Sequence, residues 1–133
     1  MIIDQQLLDR LSMQAKASPR LRQNLDLRDT PDDQSQRMLN AIEPGSLIPI
    51  HRHPATSEDA VVLRGRIEEI FYDAQGHETH RVELSAGGPV PAVHIPQGAY
   101  HTCRSLEPGT VIIEFKNTPY DPAEREILPE GEA

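Results

Sequence analysis

The chain has 133 residues, with 13 basic and 21 acidic side chains and a formal net charge of −8 at pH 7. This length predicts one domain with one hydrophobic core, and the negative charge argues against nucleic acid or anionic lipid as a partner. The sequence has no apolar run of the roughly 20 residues needed to span a bilayer, no secretory signal pattern at its N-terminus, and a single cysteine, Cys103. We therefore expect a cytoplasmic protein.

The first predicted element is a short helix in DQQLLDRLSMQAKAS, residues 4–18. Leu7, Leu8 and Leu11 recur at helical spacing, and Asp4 stands where an N-cap is expected. The helix should end before Pro19, because the residue before a proline avoids helical dihedral angles. We interpret the polar, turn-rich segment that follows as an ordered arm or loop.

From Gln36 onward, short runs with strand character alternate with turn residues, and the low hydrophobic fraction of 37% with 12 prolines also favours a strand-rich domain. The predicted strands are QRMLNAI, SLIPIH, DAVVL, RIEEIFY, HETHRVE, PAVHI, AYHTC and TVIIEFK. Eight strands are what a jelly roll requires. RIEEIFY and HETHRVE should form a hairpin that turns at residues 73–76.

These patterns divide the chain into three segments. Residues 1–35 are expected to form a helix and arm packed on the barrel, and residues 36–120 the β-barrel itself. Residues 121–133 hold five acids against one arginine. We expect this acidic C-terminal tail to pack loosely on the outside or to be partly disordered.

The stretch HRHPATSE, residues 51–58, carries the strongest chemical signal. His51 and His53 lie at i and i+2 of an extended segment, so both side chains point to the same side while Arg52 points to the other. Pro54 ends the hydrogen bonding of the strand, and the chain can then turn so that Glu58 enters from the start of the next strand. An isolated H-x-H pair is more often solvated surface than a metal site.

The spacing from Gly45 to Gly65 is G-x5-H-x-H-x4-E-x6-G, which resembles the first signature of the cupin superfamily without a mismatch. The second signature, G-x5-P-x-G-x2-H-x3-N, is matched in part by Pro96, Gly98 and His101. Seven residues rather than five separate Gly88 from Pro96, and Ser105 stands where Asn is usual. The resemblance implies a mostly β, single-domain cupin jelly-roll barrel with a short N-terminal helix.

A longer resemblance covers nearly the whole chain. The segments SPRLRQN, QRMLNAIEPGSLIPIHRHP, VVLRGRIEEIFYD and LEPGTVIIEFKNTPYDP are similar to the WbuC-type family of small cupin-fold metalloproteins. This resemblance implies an association with bacterial surface-polysaccharide pathways, and so a sugar or nucleotide-sugar as substrate.

The expected metal ligands are His51, His53, Glu58 and His101, of which His101 comes from a later hairpin and closes the set. Three imidazoles and one carboxylate suit one divalent transition metal ion, Fe, Zn, Ni, Mn or Co, and suit Ca poorly because Ca prefers oxygen. One or two coordination positions would remain for water or substrate. The other three histidines, His77, His80 and His94, are interpreted as ordinary surface residues.

Seven further residues are candidates for substrate binding: Gln36, Arg37, Asn40, Arg22, Asn24, Tyr100 and Cys103. Gln36 and Asn40 should share the inward face of their strand, and polar groups inside a barrel need partners. Arginines near the pocket could hold an anionic or hydroxyl-rich substrate; ion pairing with the acidic tail is the alternative. Cys103, two residues after His101, is either a pocket thiol or a small buried side chain. Tyr100 lies either at the mouth or in an outward packing position.

Three functions remain open at this point. The first is an enzyme, such as a metal-dependent isomerase or epimerase, or with iron a dioxygenase, and the second is a non-catalytic module that binds a sugar or carboxylate through the metal. No general base beyond the ligands is evident in the sequence, which slightly favours the module. A barrel without metal is the third. We also expect a homodimer, because barrel edges in small proteins are commonly covered by a second copy.

Overall fold

A computed structural model describes residues 1–129 of the protein. Over these residues the chain forms one helix, ten strands and one turn of 3-10 helix. The elements are α1 Gln5–Ala17, β1 Arg22–Asp26, β2 Gln36–Ile42, β3 His51–Arg52, β4 Glu58–Arg64, β5 Arg66–Tyr72, β6 Glu78–Ser85, β7 Ala92–Ile95, β8 Tyr100–Ser105, β9 Val111–Lys116, the 3-10 turn Pro122–Glu124 and β10 Glu126–Ile127.

The strands form two five-stranded antiparallel sheets. The first, sheet A, has the order β1-β2-β9-β4-β7, and the second, sheet B, has the order β10-β3-β8-β5-β6. Along the chain only the steps from β1 to β2 and from β5 to β6 stay within one sheet, and each of the other seven steps crosses to the opposite sheet. This arrangement confirms the predicted mostly β jelly roll with a short N-terminal helix. In residues 1–129, no helix combines the length and the apolar character needed to cross a membrane.

The helix forms as its sequence predicts. The Asp4 carboxylate accepts a hydrogen bond from the backbone N–H of Leu7 at 2.9 Å and so caps the first turn. The apolar face of the helix packs on the outer face of sheet A in a cluster of seven buried residues: Leu7, Leu8, Leu11, Ala15, Leu39, Ala41 and Val111. Because Leu39 and Ala41 alternate with inward-facing residues along β2, one strand serves both this cluster and the barrel interior.

A second apolar cluster fills one end of the space between the sheets. Ile42, Val62 and Ile112 contribute to it from sheet A, and Ile67 and Leu84 from sheet B. These five residues are at most 4% exposed, so this end of the barrel is closed. The polar side chains discussed below therefore collect at the other end, which stays open.

Two of the sequence expectations for the strands are wrong in detail. The expected arm contains a strand, β1, which pairs with β2 so that Asn24 lies opposite Asn40. The expected strand SLIPIH is a strand only from His51 onward. A turn at Gly45 precedes this segment, in which the N–H of Ser46 donates to the carbonyl of Glu43, and Pro49 within the segment lacks the N–H that a ladder needs.

The expected loose packing of the C-terminal segment is also wrong for its described part. Residues 126–127 form β10, which pairs with β3, and Leu128 is only 4% exposed. The backbone N–H of Leu128 donates to the carbonyl of Ile50 at 2.9 Å. Residues 130–133 of that tail lie outside the described residues, and the segment boundaries at 35 and 120 stay predictions.

The last glycine of the first signature, Gly65, has a physical role in the turn between β4 and β5. Its φ is +86°, a conformation that side chains disfavour, and a Cβ placed there would lie 2.8 Å from the Cα of Thr110. Gly87 offers a contrast, because its φ is +71° but a Cβ there would meet nothing within 4 Å. Only at Gly65 does the lack of a side chain also allow two backbone segments to approach closely.

We expect Gly65→Ala to destabilise the protein more than Gly87→Ala. Gly87→Ala costs about 1–2 kcal/mol, because alanine disfavours the left-handed conformation. Gly65→Ala has the same conformational cost and, in addition, an overpacking cost of about 1–3 kcal/mol against Thr110. Urea unfolding of both variants measures the difference in the free energy of unfolding. Equal losses would show that the close approach at Thr110 has no energetic weight.

Candidate metal centre

Three histidines meet in the open end of the barrel. His51 on β3 lies directly opposite His101 on β8, and His53 follows two residues after His51 on the same side of the chain. The ring centroids of His51 and His101 are 4.5 Å apart, and those of His51 and His53 are 5.2 Å apart. One nitrogen from each of the three rings lies within 4.8 Å of the others, and all three residues are buried. Three buried histidines at this spacing could hold one metal ion.

Each of the three rings is oriented by a hydrogen bond at Nδ1. The acceptor is the carbonyl of Pro49 for His51, at 2.8 Å, and a carboxylate of Glu124 for His53, at 2.9 Å. For His101 the partner is Glu69, at 2.6 Å. Oxygen acceptors at Nδ1 place the ring proton there, which leaves Nε2 with a free lone pair.

The Nε2 atom of His101 is buried and has no hydrogen-bond partner within residues 1–129. An unpartnered buried nitrogen costs free energy, and so it calls for a ligand. A divalent transition metal ion fits the site, because it would satisfy this lone pair and those of the two neighbouring imidazoles together.

The fourth expected ligand, Glu58, lies beside this group at the start of β4. Its Oε1 is 3.7 Å from Nε2 of His53 and 3.8 Å from Nζ of Lys116. Burial, and next the charge of Glu114, raise the pKa of Glu58 to about 7. A nearby cation would favour the ionised form, so this carboxyl suits a position next to a metal ion.

The three imidazoles are held in the neutral form that donates a lone pair. Burial is the largest cause in each case, and it lowers the pKa of His51 to about 3, with His101 as the next cause. Burial also lowers the pKa of His53 and of His101. Neutral histidines need not lose a proton before they bind a metal ion.

The histidines lie in a cavity of about 380 Å³, a size typical of small-molecule sites. Five of the seven residues expected to bind substrate line this cavity: Arg22, Asn24, Gln36, Asn40 and Cys103. The inward face predicted for β2 is therefore the face that lines the cavity. Burial raises the pKa of the Cys103 thiol, which disfavours a reactive thiolate at that position.

Arg37 and Tyr100 do not line the cavity, and the expectation for them is corrected. Arg37 lies on the other face of β2, where its Nη2 donates to Asp33 at 2.9 Å. The ring of Tyr100 packs under the guanidinium of Arg52, 5.0 Å from the ring centroid. Arg52 points away from the two histidines that flank it, so this contact lies outside the barrel, which is the outward position that the sequence left open for Tyr100.

A known family covers more than half of the chain. Residues 3–84 match the family described as Domain of unknown function (DUF6016). The chain belongs to the DUF6016 family. No curated protein sequence matches the chain.

Solved structures similar to this DUF6016 protein share its barrel. CapF with the inhibitor 3-isopropenyl-tropolone is 25% identical, with a TM-score of 0.67, and the match covers 79% of this chain and 31% of the CapF chain. Another structure describes CapF as a capsular polysaccharide assembling protein from Staphylococcus aureus. The DUF6016 chain thus corresponds to about a third of CapF.

Two further structures show the same fold at lower identity. Oxalate oxidase in complex with the substrate analogue glycolate is 17% identical, with a TM-score of 0.66, and the match covers 86% of this chain and 58% of that one. KdgF from Halomonas sp. is 20% identical, with a TM-score of 0.59, over 78% of this chain and 84% of that one. Together with the two sheets described above, these similarities identify the DUF6016 fold as a cupin jelly roll.

Several polar residues of the cavity were not predicted from the sequence. Glu114 and Lys116 follow Ile112 at alternate positions of β9, and all three line the cavity. This alternation was visible in VIIEFK, and it could have assigned both residues to the interior. Glu69 on β5 and Glu124 in the 3-10 turn also line the cavity, but their partners are histidines distant in sequence. Neither contact leaves a local sequence signal.

The surface interpretation of the other three histidines agrees with their positions, since His77, His80 and His94 are all exposed. His94 Nδ1 contacts Asp59 at 2.7 Å on the outer face of sheet A, and His77 contacts Asp73 at 3.3 Å near the hairpin turn. These exposed histidines provide matched controls for the three in the cavity.

The raised pKa of Glu58 predicts a pH effect on the stability of the metal-free protein. Its folded pKa of about 7 exceeds the unfolded value of 4.5, so the stabilisation is complete below pH 4.5 and is lost as pH rises through 7. Glu58→Gln cannot ionise and should gain stability relative to the original protein between pH 4.5 and 8, by at most about 3 kcal/mol. The lowered pKa values of the three histidines have the opposite effect: they reduce the free energy of unfolding as pH falls below 6.5, and they do so in both proteins.

Urea unfolding with a chelator at pH 4.5, 6 and 8 measures this difference. Glu83→Gln, on the exposed outer side of β6, is the control that removes one surface carboxylate. A constant difference between Glu58→Gln and the original protein across this pH range would contradict the assignment of a raised pKa to Glu58.

Proposed function

We propose that the protein is a metal-dependent cupin that acts on a small sugar or nucleotide-sugar. In this proposal His51, His53, His101 and Glu58 bind one divalent transition metal ion. The observation that carries it is the shared orientation of the three imidazoles, in which every Nδ1 is hydrogen-bonded and the lone pairs of the three Nε2 atoms are left for a ligand.

The donor set suits Fe, Zn, Ni, Mn or Co, because imidazole nitrogen with a single carboxylate is the environment that borderline divalent ions prefer. Such an ion, when bound, acts as a Lewis acid that polarises a carbonyl or hydroxyl oxygen. The chain's own residues then have to bind the substrate, orient it and move protons.

Three residues on the inner face of sheet A, Asn40, Glu114 and Lys116, can bind the substrate and move protons. Asn40 donates from Nδ2 to Oε1 of Glu114 at 3.1 Å, while its own carbonyl oxygen is buried without a partner within residues 1–129. That oxygen can accept a hydrogen bond from a substrate hydroxyl. Glu114, held in place by Asn40, can accept a proton, and Lys116 can donate one from the neighbouring position on β9.

These groups support the enzyme over the non-catalytic module. The sequence offered no acid or base apart from the metal ligands, whereas the cavity contains a carboxylate and an ammonium group that are not among the proposed ligands. Positioned acid and base groups are what proton transfer requires, and a module that only binds a sugar has no need of them.

Two similarities support the choice of a carbohydrate. The sequence resembles the WbuC-type family, which implies polysaccharide metabolism, and the barrel is similar to that of CapF, described as a capsular polysaccharide assembling protein. An isomerase or epimerase acting on a sugar follows from this choice, and with iron the same site would suit a dioxygenase. The homodimer and the cytoplasmic location stay predictions.

Metal content tests the proposal directly. Protein purified without a polyhistidine tag should contain about one transition metal ion per chain by elemental analysis, and His101→Ala should lose most of it because one of three imidazoles is missing. His94→Ala should keep its metal, since His94 is exposed and lies on the outer face of sheet A. Metal should also raise the melting temperature of the original protein.

The same preparations separate the candidate functions. Conversion of a sugar or nucleotide-sugar by metal-loaded protein, lost in Glu114→Gln with metal content retained, supports the enzyme. Saturable sugar binding without turnover supports the module, and oxygen consumption with iron supports the dioxygenase. A metal-free original protein that also fails to take up any of the five metals would refute the proposal.

Glu124→Gln should weaken metal binding by about 10- to 100-fold, because an amide replaces the carboxylate that orients His53 through Nδ1. Glu126→Gln is the matched control: Glu126 lies two residues away and contacts Arg52 at 2.7 Å on the outside. Competition with a chromophoric chelator measures both dissociation constants. Equal affinities for the two variants would show that the C-terminal segment does not position the ligand.

A further inference from the structure

Three arginines line the mouth of the cavity that holds the histidines. Arg20 and Arg22 flank Leu21 in the turn that leads into β1, of which Arg22 is the first residue, and Arg125 follows the 3-10 turn much later in the chain. The fold therefore brings guanidinium groups from two distant segments to one opening. In a chain with a net charge of −8, such a concentration of positive charge requires an explanation.

The turn that carries two of these arginines is held in an unusual conformation. Leu21 has a φ of +57°, and it is the one residue other than glycine with positive φ in the described part of the chain. Its carbonyl accepts from the N–H of Glu43 at 2.9 Å, and the carbonyl of Arg20 accepts from the hydroxyl of Ser46 at 2.8 Å. Strained backbone that its surroundings hold in place is common at ligand-binding sites.

No carboxylate of the described residues neutralises the three guanidinium groups. Nη1 of Arg22 donates to the Ser46 hydroxyl and to the carbonyl of Leu47, both at 3.1 Å and both uncharged. Within residues 1–129, no carboxylate lies within 4.0 Å of Arg20, Arg22 or Arg125. Of the eight other arginines, Arg10 and Arg104 also lack such a partner within these residues, whereas six have one: Arg28, Arg37, Arg52, Arg64, Arg66 and Arg81.

The carboxylates of the cavity are engaged with other groups. Their partners are Lys116 for Glu58, His101 for Glu69, Asn40 for Glu114, the backbone N–H of Ala123 for Asp121, and His53 for Glu124. Within residues 1–129 the charges of the cavity are thus separated, because its carboxylates contact other groups and the three guanidinium groups have no carboxylate partner. Burial lowers the pKa of Arg22, and the charges of Arg20 and Arg125 lower it further, as expected for neighbouring positive charges.

We infer that Arg20, Arg22 and Arg125 form an anion-binding subsite for a carboxylate or phosphate group of the substrate. The planar guanidinium group presents paired N–H donors that match both anions. The substrate would place this anion at the mouth and its hydroxyl or carbonyl oxygens at the histidine end. Its class is then a sugar acid or a sugar phosphate, an inference that rests on the proposed function.

Inorganic phosphate with metal-free protein tests the subsite on its own, because no metal is present to bind the anion. Phosphate should raise the melting temperature in the presence of a chelator, and sodium chloride should reduce the effect. Arg125→Gln and Arg22→Gln should weaken phosphate binding about tenfold or more. Arg104→Gln should not, since Arg104 is an exposed arginine of β8 that does not line the cavity.

Three matched sugars then test the substrate class with metal-loaded protein. Glucose 1-phosphate and glucuronate distinguish a phosphate from a carboxylate, and glucose lacks an anionic group. At least one of the two anionic sugars should bind tenfold or more tightly than glucose by calorimetry, and Arg125→Gln should remove that preference. Arg125 is exposed, so Arg125→Gln should fold, which thermal unfolding verifies. If Arg22→Gln does not fold, the Arg125→Gln variant alone decides the test.

Two results would overturn the subsite: phosphate binding that is absent in the original protein or unchanged in Arg125→Gln, and equal affinity for glucose and both anionic sugars. Neither result touches the metal assignment, which elemental analysis of the same preparations decides. Conversely, a protein that binds phosphate through these arginines but takes up no metal would keep the subsite and refute the proposed function.

Discussion

The geometry of the candidate metal centre depends on three hydrogen bonds made at Nδ1 of its histidines. A histidine ring can rotate about its side-chain bonds, and either nitrogen can carry the proton. Here a backbone carbonyl fixes His51, a carboxylate of sheet B fixes His101, and a carboxylate of the C-terminal segment fixes His53. With every Nδ1 engaged, the Nε2 lone pairs are the ones left to meet a ligand. Each acceptor lies on a different element, so the complete barrel is needed to orient the set.

The polar end of the barrel is possible because strands β2 and β9 use their two faces differently along their length. Ile42 and Ile112 close one end with apolar contacts, while Asn40 and Glu114 lie further along the same inward faces. Helix α1 covers the outward face of β2, so the sheet remains packed even where its inner face is polar. The two clusters of buried apolar side chains therefore lie at the closed end and under the helix, and the open end carries the polar side chains.

The parts of this site that follow from local periodicity could be predicted from the sequence. The alternation along H-R-H predicted that His51 and His53 share a side, and the spacing of the two signatures linked them to Glu58 and His101. Contacts that depend on tertiary packing could not be predicted from the sequence. Arg37 was grouped with the pocket although its own alternation placed it on the outward face. Glu124 lies in a segment whose acidic composition predicted loose packing, whereas β10 pairing and the buried Leu128 hold it against His53. The composition of the segment therefore did not reveal the hydrogen bond between Glu124 and His53, because that contact depends on tertiary packing.

Two segments that are distant in sequence meet at the cavity mouth. The turn at Leu21 and the segment around the 3-10 turn approach the opening from different sheets, and each contributes arginine side chains to it. The same C-terminal segment contributes Glu124 to the histidine cluster, so one short stretch extends from these histidines to the positive mouth. Because a cleft focuses the field of its charges, a positive opening in an acidic protein draws anions to this one place and repels them elsewhere. An anionic substrate would therefore meet the mouth first, and its uncharged end would be the part that reaches the histidines.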